Sequence, residues 1–162
     1  MKKYIVIGNP IDHSLSPKLH NYWIKKNNIE AIYEKKKIKE SDIEFIVSEI
    51  KKEIITGANV TVPFKKKVIQ YMDELSPEAN EAQSVNTIYS QNGKLIGHNT
   101  DISGFELGIK YSKYDIKNKI VFILGAGGVA PSIIYALKKN ESIENYINKQ
   151  NQSKSNKNKR FI

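Results

Sequence analysis

Two groups of residues in this sequence have the types and spacing to do chemistry. The first is Gly125-Ala126-Gly127-Gly128-Val129, set between the apolar run 119–124 and a helical pattern that reaches about Lys139. A strand, a glycine turn and a helix N-terminus aim backbone N–H groups and the positive end of a helix dipole at one point, which suits a pyrophosphate. A glycine turn can equally serve packing alone, but both flanks that a dinucleotide motif requires are present. Where an NAD site carries an acid about 20 residues on, this chain has Asn148 and Lys149, then Lys154, and no acid from 145 to 162. Basic groups there accommodate a 2′-phosphate and favour NADP, although the same lysines also read as part of a polar tail.

The second group is dispersed. Ser14 and Ser16 follow a first apolar run, and Asn59-Val60-Thr61-Val62-Pro63-Phe64-Lys65 follows another. Asn86-Thr87 opens a hairpin pattern and Asn99-Thr100-Asp101 closes it. Each stretch sits at an element end, where open α/β sheets bind ligands. Hydroxyls and amides with one Lys and one Asp suit a polyhydroxylated, carboxylated small molecule. Each residue also has a plainer use: Ser16 and Asp101 as helix caps, and Lys65-Lys66-Lys67 as a solvated face.

Alternating strand and helix signals must position these residues. Tyr4-Ile5-Val6-Ile7 ends in Gly-Asn-Pro and reads as a buried strand. Ser16-Pro17 opens a helix, with Ser16 as N-cap and Leu19, Tyr22 and Trp23 on one face. A strand is expected over 31–38. A helix is expected over 41–52, with Ser41 and Glu44 as a capping box and Ile43, Ile46, Val47 and Ile50 as its stripe. Next come a strand running into a loop over 57–63 and short helices over 64–72 and 77–83. Asn92-Gly93 predicts a hairpin between 85–89 and 94–98. Asp101 is expected to cap a helix to about Ser112, and 143–147 is expected to be a last strand. The fold class is therefore α/β, with a substrate-binding domain over 1–100. The linking helix and the first part of a Rossmann-like domain occupy 101–162.

Composition bounds the function. No apolar run in the 162 residues approaches the ~20 that a spanning helix needs, so no membrane partner is expected. The basic, apolar start is too short for a signal peptide. Cysteine is absent, which removes disulfides, thiolate metal sites and a Cys nucleophile and points to the cytoplasm. No metal site is expected, since His13, His20 and His98 are scattered. The formal charge of +9 comes from 25 Lys and a single Arg, Arg160. Arg reads bases and phosphates bidentately, so its near absence argues against nucleic acid. Lys, Ile and Asn make up 66 of 162 residues, a bias that AT-rich coding explains better than a basic surface does.

Five motifs together resemble the shikimate dehydrogenase family. They are Gly-Asn-Pro-Ile-Asp-His-Ser-Leu-Ser-Pro at 8–17, Gly-Ala-Asn-Val-Thr-Val-Pro-Phe-Lys at 57–65, Ala-Gln-Ser-Val-Asn-Thr at 82–87, Gly-His-Asn-Thr-Asp at 97–101 and Gly-Ala-Gly-Gly at 125–128. The resemblance spans residues 1 to about 150. It implies NADPH-dependent reduction of 3-dehydroshikimate to shikimate, in the route to chorismate and the aromatic amino acids. By it, Ser14 and Ser16 would hold the substrate carboxylate, and Thr61, Asn86 and Asp101 its hydroxyls. Lys65 would be the acid/base, with Asp101 as its partner. A positioned ammonium can stabilise and protonate the oxygen on which hydride transfer builds charge. Cofactor contacts would fall to Gly125, Ala126, Gly127, Gly128, Val129, Asn148, Lys149 and Lys154.

The resemblance also implies a longer nucleotide domain and a returning C-terminal helical segment beyond the point where this sequence stops, so 101–162 is expected to be a truncated dinucleotide-binding domain. An apolar face left bare there would favour self-association as a homodimer. Two other readings remain open: a shikimate-binding remnant without turnover, and a quinate-type relative. Ser14 and Ser16 together favour shikimate over quinate.

Overall fold

The structure is a computed structural model that describes residues 1–140 and, for 144–148, the backbone alone. The chain divides into two compact units, Met1–Asn99 and one that begins at Thr100.

The first unit is built on a six-stranded mixed sheet. Its strands are β1 (Lys2–Gly8), β2 (Ala31–Lys37), β3 (Gly57–Val60), β4 (Glu74–Leu75), β5 (Thr87–Gln91) and β6 (Lys94–His98), in the order β2-β1-β3-β5-β6-β4. β1 runs parallel to β2 and β3, while β5 is antiparallel to both β3 and β6. β1 is buried on both faces, which is why its sequence is a continuous apolar run rather than an alternating one. Ile5 and Ile7 join a large core, and Val6 packs on the other face with Ile11 and Tyr33.

Three helices belong to this unit: α1 (Ser16–Lys26), α2 (Ile43–Lys51) and α3 (Pro77–Ala82). α2 lies against β5 and β6 and buries the expected stripe of Ile43, Ile46, Val47 and Ile50. Each such side chain contributes about 1.5–3 kcal/mol relative to exposure. The Asn-Gly hairpin forms as expected, with Asn92 at φ 53° and Gly93 at φ 76°. Two successive positive φ angles are what a tight primed turn demands, and Asn-Gly supplies them at low cost.

Several local expectations are corrected. The N-cap of α1 is Leu15, already helical at φ −89° and ψ −4°, so Ser16 is a helical residue and not the cap. No residue of α1 is buried; Leu19, Tyr22 and Trp23 are exposed. Asn21 anchors the helix instead: its side chain accepts from the Tyr33 N–H at 3.0 Å and donates to the Tyr33 carbonyl at 2.8 Å. That clamp also satisfies backbone groups on the open edge of β2, where unpaired groups invite aggregation.

The helix expected over 41–52 is preceded by a 3₁₀ turn at Glu40–Asp42, and Asp42 accepts from the Lys39 N–H at 2.8 Å. The N-cap position of α2 thus falls to Asp42 rather than Ser41, and the Asp42 carboxylate caps the 3₁₀ turn instead of α2. Residues 64–72 form turns with one 3₁₀ segment, Ile69–Tyr71, rather than a helix. Burial of Phe64 and Val68, one turn apart, fixes this stretch without a continuous ladder. Over 57–63 the strand runs into a loop as expected, ending at Val60 and leaving Thr61 to Lys65 in the loop.

The second unit holds α4 (Asp101–Tyr111), β7 (Ile120–Leu124), α5 (Ala130–Lys139) and β8 (Glu144–Asn148), with β7 and β8 parallel. α4 packs on α5, and Glu106 ties the pair by meeting Lys139 at 3.2 Å and accepting from Asn140 Nδ2 at 3.2 Å. No helix among the described residues is long and apolar enough to cross a membrane.

Candidate functional site

The C-terminal ends of β1 and β3 and the start of β5 bring together loops that are distant in sequence. The Thr61 N–H donates to the Ile7 carbonyl at 2.9 Å, and the Asn9 N–H donates to the Val62 carbonyl at 3.0 Å. These two bonds zip the loop after β1 to the loop after β3. Gly8 permits the approach, since a Cβ there would lie 2.5 Å from Thr61 Cγ2. The Val85 N–H donates to the Lys65 carbonyl at 2.9 Å and fixes the far end of the second loop. The Val60 N–H bonds the Asn86 carbonyl at 2.8 Å, and the Asn86 N–H bonds the His98 carbonyl at 3.0 Å.

On this frame the first unit carries Ser14, Ser16, Thr61, Lys65 and Asn86. Ser14 Oγ accepts from the Ser16 N–H at 3.3 Å, so Ser14 takes the backbone bond that a cap would take. Asn86 is buried, and Ser14, Ser16, Thr61 and Lys65 are half-buried. Within the lysine run, Lys65 is half-buried, Lys66 is exposed and Lys67 pairs with Glu40.

Three side chains behind these residues form a polar network. The Tyr33 hydroxyl donates to Asn59 Oδ1 at 2.6 Å. Asn59 Nδ2 donates to Thr87 Oγ1 at 3.1 Å and to the Asn86 carbonyl at 3.3 Å. The Thr87 hydroxyl donates to Asn86 Oδ1 at 3.1 Å. Burial pushes the Tyr33 phenol up to about 12, while a hydrogen bond from the Ser16 side chain pulls the other way. His20 stacks on the same ring at 4.2 Å, and burial holds its imidazole below the usual histidine value. Sequence reasoning did not single out Tyr33. Its only signal there is a lone aromatic residue in a lysine-rich edge strand.

The second unit carries the remaining candidates. Asp101 is the first residue of α4 and lies in its first turn, so the N-cap position falls to Thr100 and not to Asp101. A carboxylate in that turn is favoured by the helix dipole. The glycine turn joins β7 to α5 as expected, with Gly125 at φ 108°. Residues 124–129 are exposed, and open space surrounds the Cβ positions of Gly125 and Gly127. Backbone so uncovered at a helix N-terminus fits a phosphate group. Asn148 ends β8, but Lys149 and Lys154 lie outside the described residues.

Residues 6–88 match the family described as the shikimate dehydrogenase substrate binding domain. A shikimate dehydrogenase (NADP(+)) from Pelagibacter ubique is 54% identical over 95% of this chain and 58% of its own length. Among solved structures, shikimate dehydrogenase 1 from Peptoclostridium difficile superposes with a TM-score of 0.85 at 33% identity, over 91% of this chain and 56% of that one. A Thermus thermophilus shikimate 5-dehydrogenase in complex with NADP(H) and shikimate gives 0.82 at 31% identity, over 91% and 55%. The chain thus spans a little over half the length of these relatives.

Proposed function

Because the chain belongs to the family of the shikimate dehydrogenase substrate-binding domain, we propose that its first unit binds shikimate and 3-dehydroshikimate and that the protein interconverts them with NADP(H). The observation that carries this reading is the zipped pair of loops after β1 and β3, which holds hydroxyls and an ammonium at the C-terminal ends of these strands beside the buried Asn86 amide at the start of β5. Such a set matches a ring bearing one carboxylate and several hydroxyls, and the family motifs stand at these same positions.

In the proposed mechanism Ser14 and Ser16 hold the carboxylate by hydroxyl donation. Thr61, Asn86 and Asp101 bind the ring hydroxyls and orient the carbonyl carbon. Bound NADPH supplies the hydride. Lys65 stabilises the oxygen as charge builds on it and transfers a proton to it, giving the alcohol; in the reverse direction it takes that proton back. Asp101 is the proposed partner of the Lys65 ammonium. The backbone of Gly125 to Gly128 and the α5 N-terminus would hold the pyrophosphate, and Lys149 and Lys154 are proposed for the 2′-phosphate. The naming of relatives as NADP(+) enzymes supports that cofactor.

The test is reduction of NADP+ by the purified chain with shikimate, alongside its melting temperature with and without shikimate. Turnover should fall at least a hundredfold in Lys65→Ala, while wild type and variant both melt higher with ligand. A shift in melting temperature without turnover at high protein concentration overturns the dehydrogenase reading and leaves a binding module. Faster turnover of quinate than of shikimate makes the protein a quinate-type relative. No shift and no turnover overturn the whole proposal.

A further inference from the structure

The polar network behind the loops has a direction, and Tyr33 helps the Asn86 carbonyl to set it. Tyr33 has a single hydroxyl proton, and that proton goes to Asn59 Oδ1 at 2.6 Å. With its oxygen engaged, Asn59 can face Thr87 and the Asn86 carbonyl only with its NH2 end, as the 3.1 Å and 3.3 Å bonds show. Thr87 accepts that bond and so spends its own proton on Asn86 Oδ1. The donors of Tyr33, Asn59 and Thr87 all point the same way, toward Asn86. The chain fixes the acceptor end of the Asn86 amide toward Thr87 and its donor end away from it.

We propose that Tyr33 is a positioning residue that sets the orientation of the Asn59 and Asn86 amides, so that Asn86 presents N–H rather than C=O to a hydroxyl oxygen of the ligand. The claim rests on the shikimate-binding reading for its ligand and on the network alone for the orientation. An Asn amide is symmetric in shape, so only its partners decide which end points where. Tyr33 is well placed to decide it. It is 5% exposed, His20 stacks on its ring, and Asn21 clamps its backbone on both sides. Its hydroxyl therefore has little freedom to choose another acceptor.

Tyr33→Phe removes one oxygen and keeps the ring. In the full chain it should weaken shikimate binding roughly tenfold, the scale of one lost hydrogen bond. Its NMR spectrum should show the Asn59 and Asn86 side-chain NH2 signals shifted or broadened before any ligand is added. Thr87→Val cuts the same chain one link later and keeps the Tyr33–Asn59 bond. It should weaken binding to a similar degree and shift the Asn86 signal, along with the Asn59 signal through the lost Thr87 acceptor. The double variant should bind no worse than the weaker single one, because both act through Asn86. Wild-type affinity with unmoved amide signals in Tyr33→Phe would overturn the proposal, as would additive losses in the double variant. Should Tyr33→Phe not fold, the Thr87→Val affinity and its Asn86 signal decide. Should the wild type itself not bind shikimate, the functional reading fails, and the amide signals of the ligand-free variants still decide the orientation.

Discussion

The strands of the two units use apolar residues in opposite ways. In the first unit β1 is covered on both faces, and α2 closes one of the two cores with four fully engaged aliphatic side chains. In the second unit β7 is just as apolar in sequence, yet Ile120 is 68%, Phe122 60% and Leu124 80% exposed. Only alternate positions of β7, Val121 and Ile123, are partly covered. Apolar character therefore specifies that a strand can be buried; what packs on it decides whether it is. The first unit spends its loops on hydroxyls and amides over a finished core, whereas the second offers open backbone at Gly125 and Gly127 beside a bare strand face.

That contrast can be broken most sharply by a pair of truncations. Ile46→Ala deletes a side chain with no exposed surface and should cost the first unit about 2–5 kcal/mol. Phe122→Ala removes a larger side chain that is mostly in water and should cost under about 1 kcal/mol. Amide exchange in β1 and in β7 measures the two, and equal losses would erase the distinction between covered and bare strands.

A smaller effect sharpens the account of the first unit. Burial keeps the His20 imidazole neutral below its usual titration range, so the unfolded chain binds that proton more readily. Stability from this source is present above about pH 6.5, the unperturbed value, and is lost as pH falls through the lower folded value. Urea unfolding followed at Trp23, the single tryptophan, should show a lower midpoint at pH 5.5 than at pH 7.5. His20→Gln should reduce that difference; an unchanged difference would remove His20 as its source.

What could be read from the sequence follows the same physics. The Asn92-Gly93 turn and the α2 stripe were legible because each is a local demand on residue type, one for positive φ and one for a helical period. The candidate loops could be named because the family motifs group serine, threonine, asparagine and lysine that each have a plainer use when taken singly. Tyr33 was not, since its partners lie 26 residues away at Asn59 and 12 away at Asn21. The exposed face of α1 was not either, because spacing shows that Leu19, Tyr22 and Trp23 lie together and says nothing of what covers them. The shift of the α2 cap from Ser41 to Asp42 reflects a 3₁₀ entry turn that leaves no periodic trace.

The central claim is that the first unit recognises a hydroxylated carboxylate through the loops after β1 and β3. A shikimate titration of the full chain, followed by backbone amide NMR, tests it most directly. The account predicts saturable shifts at Ser14, Ser16, Thr61, Lys65 and Asn86, with Gly125 and Gly127 unmoved until NADP+ is added. Shifts confined to the second unit, or none at saturating shikimate, would contradict it.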